Sequence, residues 1–216
     1  KLSYRFMAAE AHWILSGDHT TKGIVPWNPR IAAFSDDGET FFGAYGPKVL
    51  GQMDHVVRSL TEDSDSRQAG LTLWRENPPP SKDVPCTVAL FFHVRGPEPL
   101  RLRCHAFMRS SDAWLGLPYD AFNFSMISHL VCCRLNAGRA GLTRVQPGGL
   151  YLTLASSHLY DRDLEEARRC LKSENAHADR QPETPEDAWT REDALMGRLA
   201  RLRDSHAGDP LRWWES

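Results

Sequence analysis

Apolar positions along the chain fall into blocks whose spacing separates helices from strands. Phe6 to Leu15 is apolar apart from Glu10 and His12, and Ser16-Gly17-Asp18 ends it in the way glycine closes a helix. Lys48 to Leu60 carries Val49, Leu50, Met53, Val56, Val57 and Leu60 at helical spacing, with the polar run Thr61 to Arg67 as its exit. Leu71 to Trp74 is a short strand candidate, broken by Asn77-Pro78-Pro79-Pro80. Cys86 to Val94 and Leu100 to Met108 read as two strands joined through Arg95-Gly96-Pro97-Glu98-Pro99 as a hairpin. Ala121 to Leu135 is apolar on nearly every face, which predicts a central helix packed all round, stopped by Asn136-Ala137-Gly138. Leu150 to Leu154 is a further strand and Leu164 to Leu171 a charged surface helix.

Two stretches depart from this pattern. Residues 16 to 47 cluster Gly, Pro, Asn and Asp around Trp27 and Phe41 to Gly46, which predicts a long, largely irregular excursion. From Ser173 the chain turns polar through Glu183-Thr184-Pro185-Glu186-Asp187, and a helix follows with Leu195, Leu199 and Leu202 on one face. We therefore expect a catalytic domain over 1–172 and, over 173–216, a polar linker with a helical appendage that docks through its leucines. This tail holds 6 Arg against 10 Asp plus Glu, so it carries −4 and the body +2. The overall charge of −2 supplies no general attraction to nucleic acid or to an anionic membrane. With 216 residues, 41% of them hydrophobic, the chain can bury one sizeable core. No apolar run reaches membrane-spanning length, and Lys1-Leu2-Ser3-Tyr4-Arg5 lacks the basic-then-apolar layout of a signal peptide, so a soluble cytoplasmic protein is expected. The cysteines at 86, 104, 132, 133 and 170 are odd in number and lack C-x-x-C spacing, which argues against a disulfide framework and against a structural zinc site.

Chemistry concentrates in Arg109 to Asp120 and, upstream, Val84-Pro85-Cys86-Thr87. This cluster holds a thiol, a guanidinium, hydroxyls and two carboxylates among segments that otherwise read as buried strand and helix. Residue by residue, plainer readings exist: Cys86 as a small buried side chain, Glu10 on an exposed helix stripe, His158 and Tyr160 at the edge of the core. Taken together the motifs resemble the thymidylate synthase superfamily over roughly Lys1 to Leu171. Glu10 with Trp13-Ile14-Leu15-Ser16-Gly17 resembles its E-L-L-W-F-L-x-G helix, Phe42-Gly43-Ala44-Tyr45-Gly46 its G-x-x-Y-G loop, and Asp65-Ser66-Arg67 its D-S-R turn. Pro85-Cys86 matches the nucleophile motif P-C-H, with Thr87 where histidine is usual. Arg109-Ser110-Ser111-Asp112 resembles R-S-x-D, Leu115 to Asp120 resembles L-G-x-P-F-N, and His158-Leu159-Tyr160 resembles H-x-Y. These motifs are collinear at compatible spacings.

The resemblance implies an α+β fold with a mixed sheet packed against helices and a buried central helix, a homodimer, methylenetetrahydrofolate as co-substrate without a metal, and a pyrimidine nucleoside monophosphate as substrate. It implies Cys86 as the nucleophile that adds to pyrimidine C6, with Arg109 favouring its thiolate. Arg109, Ser110 and Ser111 become substrate ligands, the first two at the phosphate, and Arg67 the arginine that reaches the partner subunit's phosphate, with Gln68 replacing a second arginine. His158 and Tyr160 become the pair on the sugar 3′-hydroxyl, Asp112 the pterin-binding carboxylate, and Trp27 a stacking residue for the folate. Asp120 replaces an asparagine. An asparagine suits the O4 acceptor and N3–H donor of uracil, whereas a carboxylate accepts from the exocyclic amine of cytosine and can share a proton with its N3. The resemblance therefore narrows to the cytidylate 5-hydroxymethylase branch, acting on CMP or dCMP, as in nucleoside-antibiotic pathways such as that of mildiomycin. There water, ordered and deprotonated by Glu10, completes the reaction in place of hydride. Two alternatives stay open: a thymidylate synthase acting on dUMP, and a non-catalytic nucleotide-binding homologue in which Thr87 and Gln68 mark lost function.

Overall fold

The computed structural model describes residues 2–138, 143–172 and 185–205. Helix α1 (Tyr4–Leu15) begins where the Ser3 hydroxyl accepts from the Phe6 N–H, satisfying a backbone donor that has no partner within the helix. The predicted irregular excursion instead carries short turns, α2 (Thr21–Ile24) and a 3-10 turn (Pro29–Phe34), and is closed by a bridge between Thr20 and Thr40. Helix α3 (Tyr45–Glu62) starts three residues before the spacing suggests, because Pro47 falls in its first turn, where its missing N–H costs no helical bond.

Strands β1 (Gly70–Thr72), β2 (Thr87–Arg95) and β3 (Leu100–Met108) follow as antiparallel neighbours. The short strand β4 (Ser111–Asp112) leads into α4 (Gly116–Ala137), which starts five residues before the apolar block and so takes in Gly116 to Asp120. Pro118 is again a first-turn proline. Strand β5 (Val145–Leu154) returns parallel to β3, so the sheet order is β1-β2-β3-β5 and the sheet is mixed, as expected. Strand β6 (Ser157–His158) then pairs with β4 in a separate parallel ladder, and α5 (Leu164–Lys172), α6 (Asp187–Thr190) and α7 (Glu192–Asp204) complete the described chain.

The inner face of the sheet, with Leu90, Phe92, Val94, Leu102, Cys104 and Ala106, shares one core with Phe124, Ile127, Leu130 and Val131 of α4. Burying each such side chain contributes about 1.5–3 kcal/mol. α4 has buried residues around most of its circumference, which accounts for the lack of an amphipathic pattern in its sequence. The leucine stripe of the tail docks as its spacing suggests: Leu195, Leu199 and Leu202 of α7 are buried in this same core, beside α1, and Trp189 of α6 joins them. Arg198 pairs with Asp187 at 3.0 Å and Arg134 with Glu192 at 3.2 Å, holding α7 to α6 and α4. The linker proposed over residues 173–184 and the end at Trp213 to Ser216 lie outside the described residues. No helix among the described residues is long and apolar enough to cross a membrane.

Candidate active site

Cys86 stands at the mouth of β2, half buried, while Cys104, Cys132 and Cys133 are buried in the core. Its backbone is held from two sides. From β3's end, the Arg109 backbone N–H donates to the Cys86 carbonyl at 2.9 Å. The Arg109 guanidinium continues the clamp, with Nε donating to Pro85 O and Nη2 to Val84 O, each at 2.9 Å. From α3's start, Tyr45 Oη lies 2.8 Å from Thr87 Oγ1 and accepts from Thr87 N–H at 3.3 Å. The approach to this segment is tight: Gly43 N–H donates to Asp83 Oδ2 at 2.7 Å, and a Cβ at Gly43 would stand 2.3 Å from the Asp83 carbonyl oxygen. The Gly in the G-x-x-Y-G-like loop is thus required by a close backbone approach rather than by a turn.

Burial pushes the Cys86 thiol above its ordinary pKa, and the charges of Asp120 and Asp83 act the same way, while Arg109 opposes them. Arg109 therefore favours the thiolate, as the resemblance implies, but does not outweigh desolvation.

Two carboxylates join this site from different helices, Asp120 acting on the thiol and Glu10 on Asp120. Glu10 projects from the middle of α1 and accepts from Asn123 Nδ2 at 2.8 Å, so it is not on an exposed helix stripe. Desolvation pushes Glu10 up to about 7 against the lowering effect of that bond. Asp120, in the first turns of α4, is pushed up to about 7 by burial and then by the Glu10 charge. Asn123 follows Asp120 by one helical turn, so the two share a face of α4. Asp120 also raises the Tyr45 phenol, which burial already holds well above its ordinary value. Cys86, Tyr45, Asp120, Glu10 and Asn123 thus form one electrostatically connected group.

The remaining motifs meet through the β4–β6 ladder. Asp112 pairs in register with His158, Ser111 N–H donates to Ser156 O at 2.9 Å, and Ala113 N–H donates to His158 O at 2.8 Å. Asp112 Oδ1 caps the turn by accepting from Trp114 N–H at 3.0 Å. A Cβ built at Gly116 would lie 3.5 Å from Asp112 Cβ and 3.8 Å from Asp120 Oδ2, so both carboxylates flank that glycine. His158 and Tyr160 meet edge to face, with ring centroids 5.0 Å apart, and Ser110 is half buried beside Arg109. Two buried polar atoms here, Ser111 Oγ and Asn123 Oδ1, have no hydrogen-bond partner among the described residues.

Two predicted site residues stand apart or engaged. Arg67 is exposed near the far end of β2, where Ala69 O accepts from Phe92 N–H and Arg95 pairs with Asp65 at 3.2 Å. It is separated from Cys86 by roughly 20 Å of strand. Trp27 packs against the core, and Arg203 of α7 sits 5.1 Å over its ring. A cavity of about 1040 Å³ lined by Arg101, Arg103, His129 and Tyr151 among others includes none of these residues.

Three participants were not assigned from the sequence. Asn123 had a readable signal, a lone amide inside a helix apolar on nearly every face, three positions after Asp120. Tyr45 appeared only as part of a motif, and Thr87 only as a departure from one. No set of His, Cys, Asp and Glu able to hold a metal ion occurs among the described residues.

The thymidylate synthase family model matches residues 1–183, most of the chain and all of this site. Together with the mixed sheet and the collinear motifs, that match means the chain belongs to the thymidylate synthase family, a transferase that moves a one-carbon unit from methylenetetrahydrofolate to a pyrimidine nucleotide.

Proposed function

We propose that the chain is a cytidylate 5-hydroxymethylase, converting CMP or dCMP, methylenetetrahydrofolate and water to 5-hydroxymethyl-cytidylate and tetrahydrofolate. The observation that carries this reading is Asp120: a carboxyl group desolvated on α4, close enough to Glu10 and Cys86 for their charges to act on one another, where the resembled uracil-specific motif carries an amide. With a pKa near 7 it is able to accept from the cytosine amine through one oxygen and hold the proton shared with N3 on the other. Cys86 Sγ adds to C6 as that proton draws electrons from the ring, which makes C5 nucleophilic. C5 attacks the one-carbon unit of methylenetetrahydrofolate, and loss of the C5 proton with cleavage of the carbon–nitrogen bond releases tetrahydrofolate and leaves an exocyclic methylene at C5. Glu10, poised near neutrality, takes a proton from the water whose oxygen joins the new exocyclic carbon, and return of electrons to the ring expels Cys86.

The other assignments are proposed on the same basis. Ser111 Oγ, buried and unpartnered, suits a phosphate or sugar oxygen, with Ser110 and Arg109 beside it. His158 and Tyr160 serve the 3′-hydroxyl, and Asp112 the pterin ring. Trp27 stacks with the face that Arg203 does not cover. Arg67 acts only on a second copy, because in its own chain it is at the opposite end of β2. A homodimer accounts for that position, and the outer face of the sheet, where Phe107 and Tyr151 are 40% and 46% exposed, offers an apolar surface for it. A place in nucleoside-antibiotic synthesis follows from the same resemblance.

The raised pKa of Asp120 also favours a second reading. A protonated carboxyl offers one donor and one acceptor, so with its oxygens exchanged it also matches uracil, as a thymidylate synthase would require. Incubation with methylenetetrahydrofolate and CMP, dCMP or dUMP in turn decides between them. Hydroxymethyl-cytidylate with tetrahydrofolate is expected; a methylated uracil nucleotide with dihydrofolate would replace this proposal with the second reading. Absence of any product from all three nucleotides would leave the chain a binding homologue.

A further inference from the structure

The departure of this chain from the family's P-C-H motif, at Thr87, has a structural counterpart on the other side of the pocket. Thr87 is fully buried at the start of β2, and its backbone N–H and its Oγ1 both lie against one atom, Tyr45 Oη, at 3.3 and 2.8 Å. Tyr45 comes from a sequence position 42 residues away, on the first turn of α3. These contacts fasten the residue that follows the nucleophile to the residue that opens α3. We propose that Thr87 is a positioning residue for the one-carbon transfer: it donates from Oγ1 as well as N–H to the Tyr45 oxygen, and so turns the phenolic hydrogen toward the pocket shared by Cys86 and Asp120.

The reasoning is one of donor and acceptor accounting. A backbone N–H can only donate, so one lone pair of the Tyr45 oxygen is already taken. If Thr87 Oγ1 fills the other, the phenolic O–H has no partner on the strand and is available to the pocket as a donor. That proton stays on the phenol, since burial and the neighbouring charges of Asp120 and Cys86 all disfavour a phenolate. Thr87 is thereby a working replacement and not a mark of lost function.

This inference rests on the hydroxymethylase reading, and its test separates the two. Tritium release from C5-labelled CMP or dCMP is measured with methylenetetrahydrofolate for wild type, Thr87→Val, Thr87→Ser, Tyr45→Phe and the Thr87→Val/Tyr45→Phe pair, alongside nucleotide affinity and melting temperature. Thr87→Val keeps the branched shape and removes the hydroxyl, so kcat should fall about tenfold or more, the scale of one lost buried hydrogen bond, with nucleotide affinity within about twofold of wild type. Thr87→Ser should recover most of the rate. The double variant should be no slower than Tyr45→Phe alone, because both substitutions break the same unit. A wild-type rate in Thr87→Val, or losses that multiply in the double variant, would overturn the proposal. If Thr87→Val melts far below wild type, Thr87→Ser and Tyr45→Phe decide it: retained rate in the first and lost rate in the second are expected, and a wild-type rate in Tyr45→Phe overturns it. Release by wild type from a uracil nucleotide alone would remove the base assignment, and the same variants compared on that nucleotide would still judge Thr87. Release from neither base overturns both.

Discussion

At the scale of single residues, the site turns on how strongly the fold desolvates two carboxylates. Glu10 and Asp120 both sit near 7, far above an ordinary carboxyl, and the cause in each is burial first. Because their folded pKa values exceed the unfolded ones, they bind protons more tightly in the native state. Their stabilising contribution is complete below about pH 4 and is lost as pH rises through about 7. Replacing Glu10 with Gln should therefore raise the melting temperature at pH 8 relative to wild type, by up to roughly 3 kcal/mol of stability, and the gain should shrink toward pH 4. The same variant should bind nucleotide normally while losing turnover. Wild-type turnover should peak near pH 7, rising as Glu10 loses its proton and falling as Asp120 does, and the rising limb should be absent from the residual activity of the variant. Unchanged turnover would remove Glu10 from the mechanism. Asp120→Asn tests the base: kcat/KM should move from cytosine toward uracil nucleotides by tenfold or more, about the value of one mispaired buried edge, and a preference that does not move would detach Asp120 from base selection.

At the scale of elements, the surroundings of Cys86 depend on pieces distant in sequence arriving at one end of the sheet. The β2–β3 hairpin brings Arg109 against Val84 to Cys86, the start of α3 brings Tyr45, and the β4–β6 ladder brings the Arg109 to Asp112 and His158 to Tyr160 motifs side by side. The strands and the central helix were legible from spacing, because a period of two or an all-apolar run is a local property. Their starts were less so: α3 and α4 begin earlier than their apolar blocks because a first-turn proline, which looks like a breaker, is harmless there. That shift matters for function, since it places Asp120 on a helix, one turn from Asn123. The loop ahead of Cys86 leaves little room. Gly43→Ala would drive a methyl against the Asp83 carbonyl and should cost about 1–3 kcal/mol, with a change in the rate at which Cys86 reacts with a thiol reagent. Wild-type stability and reactivity in that variant would show that the segment yields freely.

At the scale of the whole molecule, the C-terminal helices are part of the body that carries the site. α7 buries Leu195, Leu199 and Leu202 in the common core, and its Arg203 reaches over Trp27. Leu199→Ala should cost about 2–5 kcal/mol in chemical denaturation with a single transition for the whole chain; separate transitions would make the tail an independent unit. The outer face of the sheet makes a second prediction at this scale. With Phe107 across the ladder from Ala89 and Tyr151 from His105, a charge at the centre should disrupt a homodimer. Phe107→Glu should therefore sediment as a monomer and lose any activity that depends on Arg67, and a dimer that survives would move the interface elsewhere. Taken alone, the sequence determined the order of elements, the buried central helix, the docking stripe of the tail and the collinear motifs, because each is written in local spacing and residue type. The tertiary structure alone decided that Asn123 pairs with Glu10 across 113 positions, that Thr87 meets Tyr45, that Arg67 stands near the end of β2 far from Cys86, and that both carboxylates titrate near neutrality. Desolvation and charge depend on everything within a few ångströms, and that neighbourhood is assembled from helices and strands no local pattern can bring together.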